Sequence, residues 1–162
     1  MRTTRWTVPL LILTCAIASQ VATQQTPAQE KEKKLKRADL PAAVQKAADQ
    51  ESQGATIQGY SSETDNGQLV YEVEMRVHGH GRDVLIGADG SVLEIEEEVA
   101  LDSVPATVKA GLVQLAGSGK ITKVESLTKR GALVAYEAQV RTGTKRSEIQ
   151  VGPDGKALAH PE

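Results

Sequence analysis

One pattern is written twice in this chain, and the duplication limits its possible folds more than any other feature. LVYEVEMRV, residues 69–77, is followed by Ala88-Asp89-Gly90, and LVAYEAQV, residues 133–140, is followed by Pro153-Asp154-Gly155. Leu40-Pro41, Val44 and Ile57 recur as Val104-Pro105, Val108 and Ile121 at an offset of 64. Tyr71-Glu72, Asp89-Gly90 and Leu93 recur as Tyr136-Glu137, Asp154-Gly155 and Leu158 at an offset of 65. Unrelated segments drift in length across turns, so a spacing held this closely predicts two copies of one unit, over residues 39–102 and 103–162.

Each unit opens on a helix signal. Asp39 is placed to cap a helix whose first turn holds Pro41, where a missing N–H costs nothing, and Leu40, Val44, Ala47 and Ala48 share one face. Gly54 ends it. Ser103, Pro105 and the stripe Val104, Val108, Leu112, Leu115 and Ala116 repeat the design up to Gly117 and Gly119. Strand signals follow. In residues 69–77, Leu69, Tyr71, Val73, Met75 and Val77 alternate with Val70, Glu72, Glu74 and Arg76, a period of two that gives one dry and one wet face. Residues 55–60, 82–87 and 91–99 supply three more strands, separated by SSETDNG, HGHG and an Asp-Gly turn. The second unit reads likewise as KITKVES, LVAYEAQV, SEIQVG and a final KALA. The fold class is therefore α+β: two tandem α-β-β-β-β repeats, each a helix packed on an antiparallel sheet.

The chain has no Phe and one Trp, Trp6, so the core must be aliphatic and thin, and neither unit is large enough to be comfortable alone. Arg2 and Arg5 precede an uncharged apolar run from Val8 to Ala18 ending in an A-x-A pattern. This predicts a secretory signal peptide over residues 1–18, too short to span a bilayer. Cys15 lies within it, so the processed chain has no cysteine and relies on packing alone. Residues 19–38 are read as a flexible charged linker, with at most a short exposed helix where Glu30 and Glu32 precede Lys34 and Lys36 by four. The repeats differ in charge: residues 39–102 hold three basic and fourteen acidic residues, and residues 103–162 hold nine basic and five acidic. The modest basic excess has no interleaved aromatics to stack on bases, so no nucleic-acid partner is expected.

A helix with an early x-Pro-x-x-Val, a strand reading YEVE and a closing Asp-Gly before a hydrophobic strand resemble the PepSY and PepSY-like group, which includes exported tandem repeats related in fold to β-lactamase-inhibitor proteins. The resemblance covers residues 38–160 and rests on turn and core residues. It implies a helix over a curved antiparallel sheet, used outside the cytoplasm to bind or restrain another protein such as a protease. No catalytic signature comes with it.

Nor do the residues themselves assemble chemistry. No G-x-S-x-G or H-E-x-x-H occurs. GSGK, residues 117–120, lacks the leading glycine and the Ser or Thr of a phosphate loop and reads as a helix-ending loop. His78 and His80, with Asp83, are the metal-ligating alternative to a plain glycine-rich turn. Glu94, Glu96 and Glu98 stack on one strand face, either gathering a cation or keeping an edge strand from pairing with other chains. The outward-pointing Glu72, Glu74, Arg76, Glu137, Gln139 and Arg141 form the candidate partner-binding surface. The expectation is a periplasmic or secreted, non-enzymatic protein-binding module without cofactor or stable membrane insertion, regulating or inhibiting an envelope or secreted enzyme. The alternative is an extracytoplasmic metal or small-ligand binder.

Overall fold

A computed structural model describes residues 32–65 and 67–162, and the expected signal peptide and most of the expected linker lie outside them. Eight strands form one antiparallel sheet in strict sequence order: β1 (Lys33–Leu35), β2 (Thr56–Asp65), β3 (Gln68–Val77), β4 (His80–Gly87), β5 (Val92–Glu98), β6 (Lys120–Lys129), β7 (Ala132–Thr142) and β8 (Lys145–Val151). Helices α1 (Ala42–Glu51) and α2 (Ala106–Ala116) interrupt the strands before β2 and before β6. The expectation of a separate sheet for each half gives way to a single sheet, because β5 and β6 pair from Glu94↔Lys129 to Glu98↔Glu125.

Both helices cover the same face. Val44, Ala47 and Ala48 of α1, with Leu40, pack on Tyr71, Val73, Met75, Val84 and Ile86, while Val108 and Leu112 of α2 pack on Val124, Ala138 and Val151. Cross-strand partners carry one face through the sheet: Val73↔Val84, Val84↔Ile95, Ile95↔Thr128, and Val124↔Ala138. The period-two reading of β3 is right for this dry side from Tyr71 onward. Leu69, expected there too, is 52% exposed, and Leu115, expected in the α2 stripe, is 42% exposed on the outer side of its helix.

Several local expectations are corrected. Residues 33–35, expected in the flexible linker, pair with β2 as an edge strand, so Glu32 and Lys36 flank a strand rather than lie on a helix. Asp39 does not cap α1; its Oδ2 accepts from Lys36 N at 2.9 Å and closes a preceding 3-10 turn, Arg37–Asp39. Ser103 does not cap α2 either, since its Oγ donates to Ala100 O at 2.7 Å; Pro41 and Pro105 occupy the cap positions. SSETD continues β2 instead of turning, and KALA contributes only the bridge Val151↔Ala157, so three strands follow α2 where four were expected. Small residues offer little to a pleated ladder, and the chain then turns away toward the opposite face.

The turns after β4 and β8 share one construction. Gly87 N donates to Ser91 O and Gly152 N donates to Lys156 O, each at 2.8 Å, with Asp89 and Asp154 accepting from backbone N–H groups two residues on. Gly90 and Gly155 close them at φ +86° and +81°, a conformation that suits a residue without Cβ. A Cβ on Gly90 would lie 2.8 Å from Ala43 O, and one on Gly155 would strike Thr107 O, so each turn abuts the first helical turn through backbone alone. Gly155→Ala should destabilise the fold by about 2–4 kcal/mol, since left-handed strain adds to overlap with backbone that cannot swing aside. Gly143→Ala, at φ +61° with nothing within 4 Å, should cost only about 1 kcal/mol. Urea denaturation of both variants checks the difference, and equal losses would show that the helix–turn contact is not tight.

Candidate functional site

The side of the sheet away from the helices carries no helix or strand among the described residues. Among the described residues only the C-terminal tail reaches it, at the β7–β8 end, where Glu162 N donates to Gln150 Oε1 at 2.8 Å and the Glu162 carboxylate lies 3.9 Å from Lys129 Nζ. Glu72 and Glu74 of β3, Asp83 of β4, Glu94 and Glu96 of β5, Glu125 of β6, and Glu137 of β7 share this open face. Their register fixes the neighbours: Glu74↔Asp83, Asp83↔Glu96 and Glu125↔Glu137 are directly opposite pairs. Like charges in such positions repel, which makes this the least self-complementary part of the molecule.

These carboxylates are not the solvated fringe that a wet strand face implies. Glu125 is only 2% exposed, and Val70, expected on the wet side, is 1% exposed. Burial lifts the pKa of Glu72, partly offset by Ser61 Oγ, which donates to Glu72 Oε2 at 2.9 Å. Burial likewise lifts Asp83, Glu94 and Glu137, with Lys123, Lys129 and the Gln150 amide pulling back on each in turn. Glu96 is the extreme case. Burial first, and then the charges of Glu125, Glu137, Glu94 and Asp83, push it to about 8.

Two lysines enter the face from β6. Lys123 Nζ forms an ion pair with Glu125 Oε1, and Lys129 Nζ lies 3.6 Å from Glu94. Burial opposes the charge on Lys123, but Glu125, Asp83 and Glu96 outweigh it and hold its pKa above the usual range. Asp83, Glu96 and Glu125 bring carboxylate oxygens within 4.8 Å of one another, and so do Glu32, Glu72 and Glu74.

Of the sequence-predicted surface, Glu72, Glu74, Glu137 and Gln139 lie on this open face. Arg76 and Arg141 stand at strand ends and brace hairpins: Arg76 Nη1 donates to Gly79 O at 2.6 Å and Arg141 Nε donates to Gly143 O at 3.1 Å. His78, His80 and Asp83 form no metal-ligand grouping among the described residues. His78 sits in the turn at φ 51°, and residues 80 and 83, three apart on one strand, project to opposite faces. The acidic strand, expected at an edge if its charges are to block pairing, lies at the centre of the sheet between β4 and β6. The sequence reading missed Lys123, Glu125 and Lys129; the alternation of KVESL, where Val124 faces the helices and Lys123, Glu125 and the buried Leu127 share the other face, was the available signal.

No family model and no curated protein matches the sequence. Solved structures do match its fold. A protein from Bacteroides eggerthii described as periplasmic aligns with a TM-score of 0.60 at 20% identity, over 74% of this chain and 86% of that one. A BLIP-like protein from Bacteroides fragilis aligns at 0.55 and 19%, over 74% and 83%. A DUF2874 family protein from Bacteroides ovatus aligns at 0.57 and 17%, over 74% and 84%. At these identities the likeness is one of architecture: helices on one side of a long antiparallel sheet. No helix among the described residues is long and apolar enough to cross a membrane.

The raised pKa values set a pH dependence whose sign is opposite to that of paired surface carboxylates. Between the ordinary value of 4.5 and about 8, Glu96 holds a proton in the folded state that it releases on unfolding, so its contribution to stability falls as pH rises through that window. Glu72, Asp83, Glu94 and Glu137 act in the same direction. Glu96→Gln should therefore raise stability by about 2–4 kcal/mol at about pH 9 and change it little near pH 4. Denaturant titrations at the two pH values check this, and a gain independent of pH would rule out proton uptake as its source.

Proposed function

We propose that this chain is an extracytoplasmic, non-enzymatic binding module that docks another protein on the open face of its sheet and thereby regulates or inhibits an envelope or secreted enzyme such as a protease. The observation that carries the reading is the placement of both helices on one side. Eight paired strands leave a broad opposite face on which, among the described residues, only the C-terminal tail lies, and a face of this breadth offers the several hundred Å² per partner that a specific protein interface needs. The location is supported by the signal-peptide pattern of residues 1–18 and by a structural neighbour described as periplasmic. The inhibitor-like role is supported by the PepSY-like residues and by the BLIP-like neighbour. We also read the two halves as copies of one unit, as the matched turns at Gly90 and Gly155 and the matched braces Arg76 and Arg141 suggest.

The non-enzymatic part rests on the sequence, which has no nucleophile motif with a positioned base. Of the metal-binding alternative through His78, His80 and the acidic strand, the histidine part is disfavoured by the strand geometry that separates His80 from Asp83, whereas Glu96 of the acidic strand does meet Asp83 and Glu125. A photo-crosslinking residue in place of Gln139, on the open face, should capture a discrete partner from the native extracytoplasmic fraction. The same residue in place of Val113, which is 50% exposed on α2, should not. Capture from Val113 alone would move the interface to the helix side and overturn the reading.

A further inference from the structure

Resting on that reading, we infer that the docked protein presents an acidic segment whose carboxylates are seated at the β6–β8 end of the open face by Lys120, Arg141 and Arg146. Register puts these three in one row. Lys120 is directly opposite Arg141 across β6–β7, and Arg141 is directly opposite Arg146 across β7–β8. Arg141 shares its side of β7 with Gln139 and Glu137, two and four residues back, so the row belongs to the open face. It borders a half-open groove of about 510 Å³ whose walls include Lys123, Gln139 and Glu148. Like charges directly opposite one another repel. Beside α1 the chain neutralises its guanidiniums, pairing Arg37 with Asp49 and Arg82 with Glu51 and Glu97. In the row it does not: among the described residues, no carboxylate lies within ion-pair distance of Lys120, Arg141 or Arg146.

The neighbouring charges do not fill the gap. Lys123 is committed to Glu125. Glu148, two residues from Arg146 on the same side of β8, stands opposite Gln139 and adds to burial in opposing the ionisation of Glu137. Arg141 Nε donates to Gly143 O at 3.1 Å, which holds the guanidinium in place and leaves its other donors for a ligand. Guanidinium forks match carboxylates bidentately, and the Lys120 ammonium adds a point charge beside them. Extent decides the class of anion. The row spans about 10 Å, two strand spacings of roughly 4.8 Å, and the face turns acidic two residues along β8 at Glu148 and four residues along β7 at Glu137. A long polyanion or an anionic membrane would carry negative charge onto those carboxylates, whereas a polypeptide can confine a few acidic side chains to the row. The acidic centre of the face also keeps such a segment from sliding toward β3–β5, so the charge of the face orients the docked protein.

Fluorescence anisotropy with labelled hexaglutamate, on the full processed chain at low salt, tests this. Lys120→Gln with Arg146→Gln should weaken binding by about tenfold or more, while Lys46→Gln with Lys109→Gln, the same change of net charge on the helices, should weaken it less than about twofold. Lys120 and Arg146 are exposed and their exchange relieves repulsion, so the variant is expected to fold, and circular dichroism verifies that it does. Equal weakening in the two double variants would reduce the effect to net charge and overturn the inference, as would the absence of saturable binding to the unsubstituted chain. Sedimentation with phosphatidylglycerol vesicles that is lost in the Lys120→Gln, Arg146→Gln variant would make the row a membrane contact and overturn it too. A partner captured from position 139 with undiminished yield in that background would overturn it while leaving open-face docking intact. Absence of capture from position 139, with hexaglutamate bound as expected, would instead remove the docking reading and with it the partner class named here.

Discussion

The backbone ladder between β5 and β6 is the interaction from which the rest of this structure follows. Without it the halves would be two thin layers, one a short helix on five strands and the other a short helix on three, with too little apolar surface for comfortable stability. With it, one sheet runs from Lys33 to Val151, and the acidic strand β5 becomes an interior strand whose charges have neighbours on both sides. Opposite charge between the halves contributes little to this junction. Lys129 and Glu94 meet across it, but Glu98 lies opposite Glu125, so the ladder joins two partly repelling surfaces.

Much of the architecture is legible from residue pattern. The alternation in β3, the Pro-led helices and the two Asp-Gly turns are local signals, and local sterics determine them: a proline tolerates a helix start, and a glycine accepts positive φ where the turn approaches Ala43 or Thr107. The α1 stripe of Leu40, Val44, Ala47 and Ala48 is buried as its spacing requires. Strand partnership is a different matter. Nothing in the run EIEEE distinguishes a solvated edge from a central strand, because that depends on whether β6, some twenty residues away, comes to lie beside it. The failure of Asp39 and Ser103 to cap has a similar origin. Both side chains found a closer backbone partner in the preceding turn, a competition that such short polar residues commonly enter.

The candidate site was half legible for the same reason. Glu72, Glu74, Glu137 and Gln139 announce an outward face by alternation within their own strands. Their joint environment depends on register: Glu74 faces Asp83, which faces Glu96, and Glu125 faces Glu137. A one-residue slip of any strand would send its carboxylates to the helix side, so the cluster and the hydrophobic core are specified by one and the same pairing. Arg76 and Arg141 show the converse. By pattern they belong to the outward face, yet each is drawn to a turn carbonyl at the end of its own hairpin.

This coupling bears on what the face is for. Half-buried carboxylates without enough counter-ions destabilise a fold, and the chain relieves them only in part, through Lys123, Lys129 and a proton on Glu96. Neutral or apolar side chains at the same positions would leave every backbone pair and the whole helix-side core intact. The acidic face is therefore separable from folding: the fold supplies the register that assembles it, and gains nothing from the charge it gathers there. A surface that costs stability in the isolated molecule, on the side that the helices leave open, is one that the docking proposed above would compensate. The β6 lysines relieve the side toward β5 and β6, where Lys123 pairs with Glu125 and Lys129 with Glu94.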